Sequence, residues 1–393
     1  MQFPKAVGRF VSLVIVSSVF SLSAQSAETD QLELSDLEAR VSQLESVRIT
    51  GSYRLNYTVA DWDDEQKERG GDFRFNQLNL GAETEKNGVR LSSQYRMYDN
   101  GLPSMIHHLY VATAVNENTE VQVGLTKVPF GIQPYESHND WGDNALFMGM
   151  NDDYDTGIKF ITKNGDLTWQ AAYFASGDAK PTEAQRFSAD VVSSADANQQ
   201  ANEEAHQINL HADYVVGGST LGASVQMTGL YNNLTDSMGN AWAAALHLNG
   251  QYGPVGVQLQ AARYEYNPVN PDGVSEDSVQ LGAFGATYLV AAKANAYVAN
   301  FAYNLPYKGG IVDFMQVYSD YNLIDKDEAS FKDSHIFTVG MMVNTGALYT
   351  FFDVNMGKNA LFLGNGDYVN ALASGDGNND WQKQFNIQFG YYF

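Results

Sequence analysis

Cysteine is absent from the 393 residues, which rules out disulfides, thiol nucleophiles and cysteine-based zinc sites. Basic residues are scarce: 23 Lys and Arg stand against 46 Asp and Glu, a net charge of -23, so no nucleic-acid partner is expected. Long apolar runs are lacking as well. No stretch reaches the roughly 20 apolar residues that a spanning helix needs, and a mean hydropathy of -0.30 is too polar for a helical membrane protein. Neither a Gly-x-Ser-x-Gly elbow nor a His-Glu-x-x-His pair occurs, so the expectation is a non-enzyme without cofactor or metal. What the chain does have is 23 Tyr, 21 Phe and 35 Gly, a composition that suits a β-barrel with aromatic girdles.

The C-terminal segment carries the strongest pattern. Phe385, Ile387, Phe389, Tyr391 and Phe393 alternate with Gln384, Asn386, Gln388, Gly390 and Tyr392. A period of two with one apolar and one polar face describes a strand between two solvents. The pattern recurs along the chain without helices to cover it, so the apolar face is expected to meet lipid. At the other end, Lys5 and Arg9 precede a short apolar run over residues 10–22 and small residues over 23–27, the pattern of a secretory signal peptide. Residues 1–26 are assigned to it. Residues 27–46 then place Leu34, Leu37, Val41 and Leu44 on a and d positions of a short coiled coil. Fewer than three heptads are not stable alone, so this helix is expected to hold only where copies already meet, as in a trimer.

Residues 47–393 read as strands joined by connections of alternating length. Short turns such as Gly217-Gly218, Gly253-Pro254 and Asn344-Thr-Gly346 have tight-hairpin chemistry. Long acidic stretches (61–72, 129–155, 176–205, 267–277, 322–334 and 357–380) face the opposite rim. The predicted fold is an all-β, transmembrane antiparallel β-barrel behind a short N-terminal coiled-coil helix. Parity from the C-terminus gives 16 strands, with residues 277–293 in a long external excursion; if that excursion is a hairpin in the wall, the count is 18. Within this reading, Asn76-Gln77 breaks the alternation as a bulge would.

Several motifs resemble a known family. The terminal strand ending on Phe393 resembles the closing strand of bacterial outer-membrane barrels. Gly124-Leu-Thr-Lys-Val-Pro-Phe-Gly131, Val298-Ala-Asn-Phe-Ala-Tyr-Asn-Leu-Pro306 and Tyr318-Ser-Asp-Tyr321 resemble segments of Gram-negative outer-membrane porins, most closely the phosphate-selective porin O and P family. The resemblance implies residence in the outer membrane, recognition of Phe393 by the barrel assembly machinery, and a homotrimer. It also implies a water-filled channel for passive diffusion of small hydrophilic solutes and ions. Acidic external loops could bridge to lipopolysaccharide through divalent cations. Alternatives are a channel selective for phosphate, other small anions or oligosaccharides, and further off a barrel enzyme or a structural or adhesin barrel.

Candidate site residues follow from side-chain direction. Arg48, Arg54, Arg74, Arg90 and Arg96 fall on the first three strands. A charge facing lipid at the midplane costs about 2–4 kcal/mol, so these arginines should form a basic wall in the lumen. The third loop, folding inward, should bring Glu136, Asp140, Asp143, Asp152 and Asp153 toward that wall. His107 and His108 are adjacent in a strand and should point to opposite faces. His138 with Asp140 and Asp143 is a weaker cation-ligand candidate. Tyr98, Tyr110, Tyr135 and Trp141 are candidate sugar-stacking residues.

Overall fold

The computed structural model describes residues 47–99, 102–177, 186–193, 200–307 and 309–393. The expected signal peptide and coiled-coil helix lie outside the described residues. The strands are β1 (Val47–Ala60), β2 (Asp72–Lys86), β3 (Val89–Tyr98), β4 (Met105–Asn116), β5 (Thr119–Lys127), β6 (Tyr154–Asn164), β7 (Leu167–Ser176) and β8 (Asp190–Val191). They continue with β9 (Asn202–Val216), β10 (Ser219–Asn232), β11 (Ser237–Tyr252), β12 (Val255–Asn267), β13 (Ser278–Ala283) and β14 (Ala286–Ala291). The last five are β15 (Lys293–Leu305), β16 (Phe314–Lys326), β17 (Ser334–Thr345), β18 (Leu348–Lys358) and β19 (Gln382–Tyr392).

Sixteen strands close an antiparallel barrel, each paired with its chain neighbour except that β7 pairs with β9 and β12 with β15. The seam is β1 against β19, with Leu55 opposite Phe389 and Tyr57 opposite Ile387. Phe393 finishes the ladder through a reciprocal backbone pair with Gly51, at 2.8 and 3.0 Å. The expected alternation holds along the wall: Val225, Met227, Leu246, Phe301, Val354 and Phe385 are exposed on the outside. An apolar band of this extent far exceeds the few hundred Å² that water tolerates on a soluble monomer, and hydrocarbon is the solvent that suits it. Asn56, Asn79, Asn209, Asn355 and Asn386 are buried on the inside. A bulge in β2, opposite Arg54 and Leu55, falls at Asn76.

The excursion at 277–293 is a hairpin, yet it does not join the wall. β13 and β14 pair with each other, β8 adds to the edge of β13, and this small sheet sits apart from the barrel ladder. Residues 359–381 also turn inward, where the Val369 and Leu372 carbonyls accept from the β14 amides of Leu289 and Ala291 at 2.7 and 3.0 Å. Val279, Leu281, Tyr288, Val290 and Leu372 are fully buried against inward-facing alanines of β11, β12 and β15. Part of the lumen is therefore an apolar core. β16 runs on to Lys326, past residue 322 where the long acidic stretch was expected to begin. Lys326 shortens the following loop by donating to the carbonyls of Lys332, Ala371 and Ala373 at 2.6, 3.2 and 2.7 Å.

Candidate functional site

The loop between β5 and β6 folds into the lumen and is bonded to the barrel wall along its length. It leaves the wall at Gly131, whose φ of 58° belongs to the left-handed region. A Cβ there would lie 2.5 Å from Gln260 Oε1, so a larger residue would push that amide off its bond to the Ile132 N–H as well as strain the backbone. From there the loop follows the inside of the wall. The Gly131 amide donates to Ser224 Oγ on β10 at 3.0 Å and the Ile132 amide to Gln260 Oε1 on β12 at 2.8 Å. Asn300 on β15 donates to the Glu136 carbonyl. The His138 amide donates to Asp320 Oδ2 on β16 at 2.7 Å, and Asn139 donates to Asn355 on β18 at 3.2 Å. Asp140 Oδ2 then accepts from Gln388 on β19 at 2.6 Å and from Arg54 on β1 at 2.7 Å. Each anchor is a polar side chain on the inward face of its strand.

Two of the five arginines reach this region. Arg54 pairs with Asp140 and lies 5.7 Å from the Tyr392 ring centroid. Arg96 has no carboxylate within ion-pair distance among the described residues; its Nε donates to Gln94 Oε1 at 2.7 Å and its guanidinium lies 4.3 Å from the Phe187 ring centroid. The other three stand at the rims. Arg48 pairs with Glu83 at 2.5 Å, Arg74 with Asp72 at 2.8 Å, and Arg90 with Glu120 at 2.8 Å.

The five acids divide in the same way. Asp140 and Asp152 face cations, and Asp152 receives Lys127 Nζ at 2.8 Å and the Tyr154 hydroxyl at 3.2 Å. Burial pushes both carboxyls up, but neighbouring cations outweigh it. Arg54, with help from Gln388 and Arg96, holds Asp140 below the usual carboxylate range. Lys127, His107 and Arg96 do the same for Asp152. Glu136, Asp143 and Asp153 do not meet the basic wall. Glu136 accepts from Gln260 at 2.7 Å, and burial, together with Asp143 beside it, raises its carboxyl well above the usual range. Asp143 accepts from the amides of Ala145 and Leu146 at 2.7 and 3.2 Å and so caps the 3-10 turn Ala145–Met148. Asp153 turns toward Asp190 and Glu204, and burial first, then these charges, raise it too. The expected facing of all five acids fails because loop three needs capping and anchoring groups as well as charges.

Two further expectations are corrected. A register shift between Gln94 and Tyr95 gives β4 one extra residue, so His107 and His108 come together, with their Nδ1 atoms 3.0 Å apart. His138 does not join Asp140 and Asp143, because its Nδ1 sits 2.6 Å from Asp320 Oδ1. Tyr98, Tyr135 and Trp141 line a cavity of about 480 Å³ with Arg54, Arg96 and Asp140, whereas Tyr110 stands by Arg90, 5.8 Å from its guanidinium. Lys127, Gln388, Tyr392 and Phe187 complete this region and were not singled out from the sequence. Gln388 and Tyr392 did carry a signal, since both lie on the polar face of the last strand.

No protein-family model matches the sequence, and no curated protein matches it. Solved structures do resemble it in fold. The outer membrane channel DcaP of Acinetobacter baumannii superposes with a TM-score of 0.58 at 13% identity, covering 88% of this chain and 97% of that one. A loop L8 deletion mutant of OmpT, an outer membrane protein of Vibrio cholerae, gives 0.53 at 10% identity over 88% and 99%. The anion-selective porin from Comamonas acidovorans gives 0.51 at 15% identity over 88% and 99%. At these identities the likeness is one of fold.

Proposed function

We propose that the chain is an outer-membrane diffusion channel for small hydrophilic solutes and ions, narrowed where loop three meets β1, β3 and β4. The observation that carries this reading is the opposition of Arg54 and Arg96 on the wall to Asp140 and Asp152 on the loop, around a polar and aromatic cavity. Opposed charges across a wet constriction orient polar solutes and favour hydrated ions over apolar molecules. The barrel fold shared with outer-membrane channels and porins supports the same reading. So does the apolar outer band of the barrel wall. The homotrimer expected from Leu34, Leu37, Val41 and Leu44 is part of the proposal, and unheated gel electrophoresis with light scattering tests it; monomer alone would refute it.

A second reading, selectivity for small anions, is favoured by Arg96. Its guanidinium stacks on Phe187 and makes no ion pair among the described residues, so its fork is available to a carboxylate or phosphate. This is as far as the likeness to phosphate-selective porins extends into the site. Planar-bilayer recording in a KCl gradient tests both readings. The wild type should conduct with weak ion preference, and changing Arg54 and Arg96 together to Glu should shift the reversal potential toward cations. Anion selectivity predicts in addition that phosphate or benzoate reduces chloride current in the wild type and not in Arg96→Gln. A correctly folded protein that conducts nothing would refute the channel.

A further inference from the structure

Away from the constriction, on the wall formed by β9, β10 and β11, three potential ligands converge. His211 and Asp213 are two residues apart on β9 and therefore share the inward face. On β10, Gly222 stands directly opposite Asp213 on one side and His247 of β11 on the other. Because Gly222 has no side chain, the flanking groups meet over it. A Cβ there would lie 2.1 Å from His247 Cε1 and 2.4 Å from Asp213 Oδ1. His211 Nε2 is 3.0 Å from Asp213 Oδ2, and His247 Nε2 is 3.0 Å from Asp213 Oδ1. The two imidazole rings stack with centroids 5.7 Å apart.

We propose that His211, Asp213 and His247 form a binding site for a divalent transition metal of the zinc class. Three observations carry it. First, the candidate donor atoms all lie within 4.8 Å of one another. Zinc bonds of about 2.0–2.1 Å in a tetrahedron imply ligand-to-ligand edges of about 3.3 Å, so small side-chain shifts admit an ion. Second, His211 is fully buried at its side chain, yet its Nε2 finds no hydrogen-bond partner although it points toward the carboxylate. A buried nitrogen that meets a carboxylate without a well-directed hydrogen bond is only partly satisfied, and a metal bond between the two would satisfy both. Third, His211 Nδ1 lies 2.9 Å from Ser224 Oγ. Donation from Nδ1 to that oxygen leaves the Nε2 lone pair for the metal, the outer-shell arrangement typical of ligating histidines. Ser224 Oγ also accepts the Gly131 amide, so the site is tied to the lead-in of loop three. Asp213, 22% exposed at its side chain, is the member that meets the lumen, where water can complete the coordination. Two imidazoles and one carboxylate select zinc, nickel or copper over the harder calcium and magnesium.

The test is ZnCl2 titration of the full-length folded protein in detergent by calorimetry, a readout independent of conductance. One saturable ion per chain is expected, undiminished by equal concentrations of Mg2+. His211→Gln with His247→Gln should abolish it, Ser224→Ala should weaken it by about 10–100-fold, and His107→Gln should leave it intact. Heat-modifiable gel mobility checks that each variant is folded. Zinc-edge X-ray absorption of the wild type should show imidazole ligation and needs no variant. Absence of saturable binding, binding that survives the double substitution, competition by Mg2+, or a spectrum without imidazole scattering would each overturn the proposal.

Discussion

Two parts of one lumen have opposite linings. Near β1, β2, β18 and β19 the inward residues are amides: Asn56, Gln77, Asn79, Asn355, Asn386 and Gln388 are buried but polar. On β11, β12 and β15 they are mostly methyls, with Ala241, Ala243, Ala245, Ala262, Ala294 and Ala296 in their place. The amide region offers donors and acceptors to loop three, as when Gln388 donates to Asp140 and Asn355 accepts from Asn139. The alanine region offers only space, and Val279, Leu281, Tyr288 and Val290 fill it. The barrel wall thus specifies what occupies it. Small apolar residues on an inward face mean that another piece of the same chain is packed there.

Removing that piece should have the largest effect. Replacing β13 and β14 with a short Gly-Ser link leaves the β12–β15 ladder intact, since Ala261 still faces Tyr297 and Leu259 still faces Ala299. The barrel should still form, and single-channel conductance should rise several-fold. Unchanged conductance would mean that the hairpin does not obstruct the path. Leu281→Ala is the milder form of the same experiment. It opens a cavity at a fully buried site and should destabilise the lumenal core by about 2–5 kcal/mol, seen as faster proteolysis of the hairpin in a barrel of normal heat-modifiable mobility.

The wall was legible in the sequence because a single physical variable, apolar outside and polar inside, repeats every second residue. Parity gave the strand number even though residues 277–293 look like wall strands. What fills the lumen was not legible in that way. The run Ala241-Trp-Ala-Ala-Ala245 shows apolar residues on both faces, which signals a wall packed on both sides, but alternation alone does not say against what. Nor did it show the path of loop three, where Glu136 and Asp143 look like Asp140 and serve different ends. The pairing of His107 with His108 depends on one extra residue in β4, a register effect that no local pattern reports. Arg54 and Arg96 line the cavity by loop three, whereas Arg48, Arg74 and Arg90 pair with acids near the strand ends, a difference of height along the strand that alternation does not report.

Acid chemistry separates the anchoring part of loop three from its charged part. Asp140 and Asp152 have carboxyls held below the usual range, so their stabilising contribution is complete above that range and is lost only in strong acid. Glu136 behaves oppositely. Its raised carboxyl stabilises the folded loop while protonated, and that contribution fades as pH rises through the raised value. Glu136→Gln, permanently neutral, should match the wild type at pH 4 and exceed its thermal midpoint by a few degrees at pH 8. A midpoint gain that is equal at both pH values would show that Glu136 is not the titrating anchor.

The smallest expected effect sharpens the comparison at its finest scale, within one strand. Arg48 and Arg54 have the same chemistry and lie on the same face of β1, six residues apart, about 20 Å along the strand. That distance exceeds a Debye length of about 8 Å at physiological salt, so the charge at Arg48 is screened from the Arg54–Asp140 pair. Its partner Glu83 gives little in return, because Arg48 is 69% exposed at its side chain and such pairs contribute within about 1 kcal/mol. Arg48→Ala should therefore leave the thermal midpoint and reversal potential near those of the wild type. Arg54→Ala should move the reversal potential toward cations, since it leaves Asp140 without its guanidinium. Equal shifts from the two substitutions would mean that selectivity is set at the rim, and that the geometry of loop three governs the size of the opening without governing its charge.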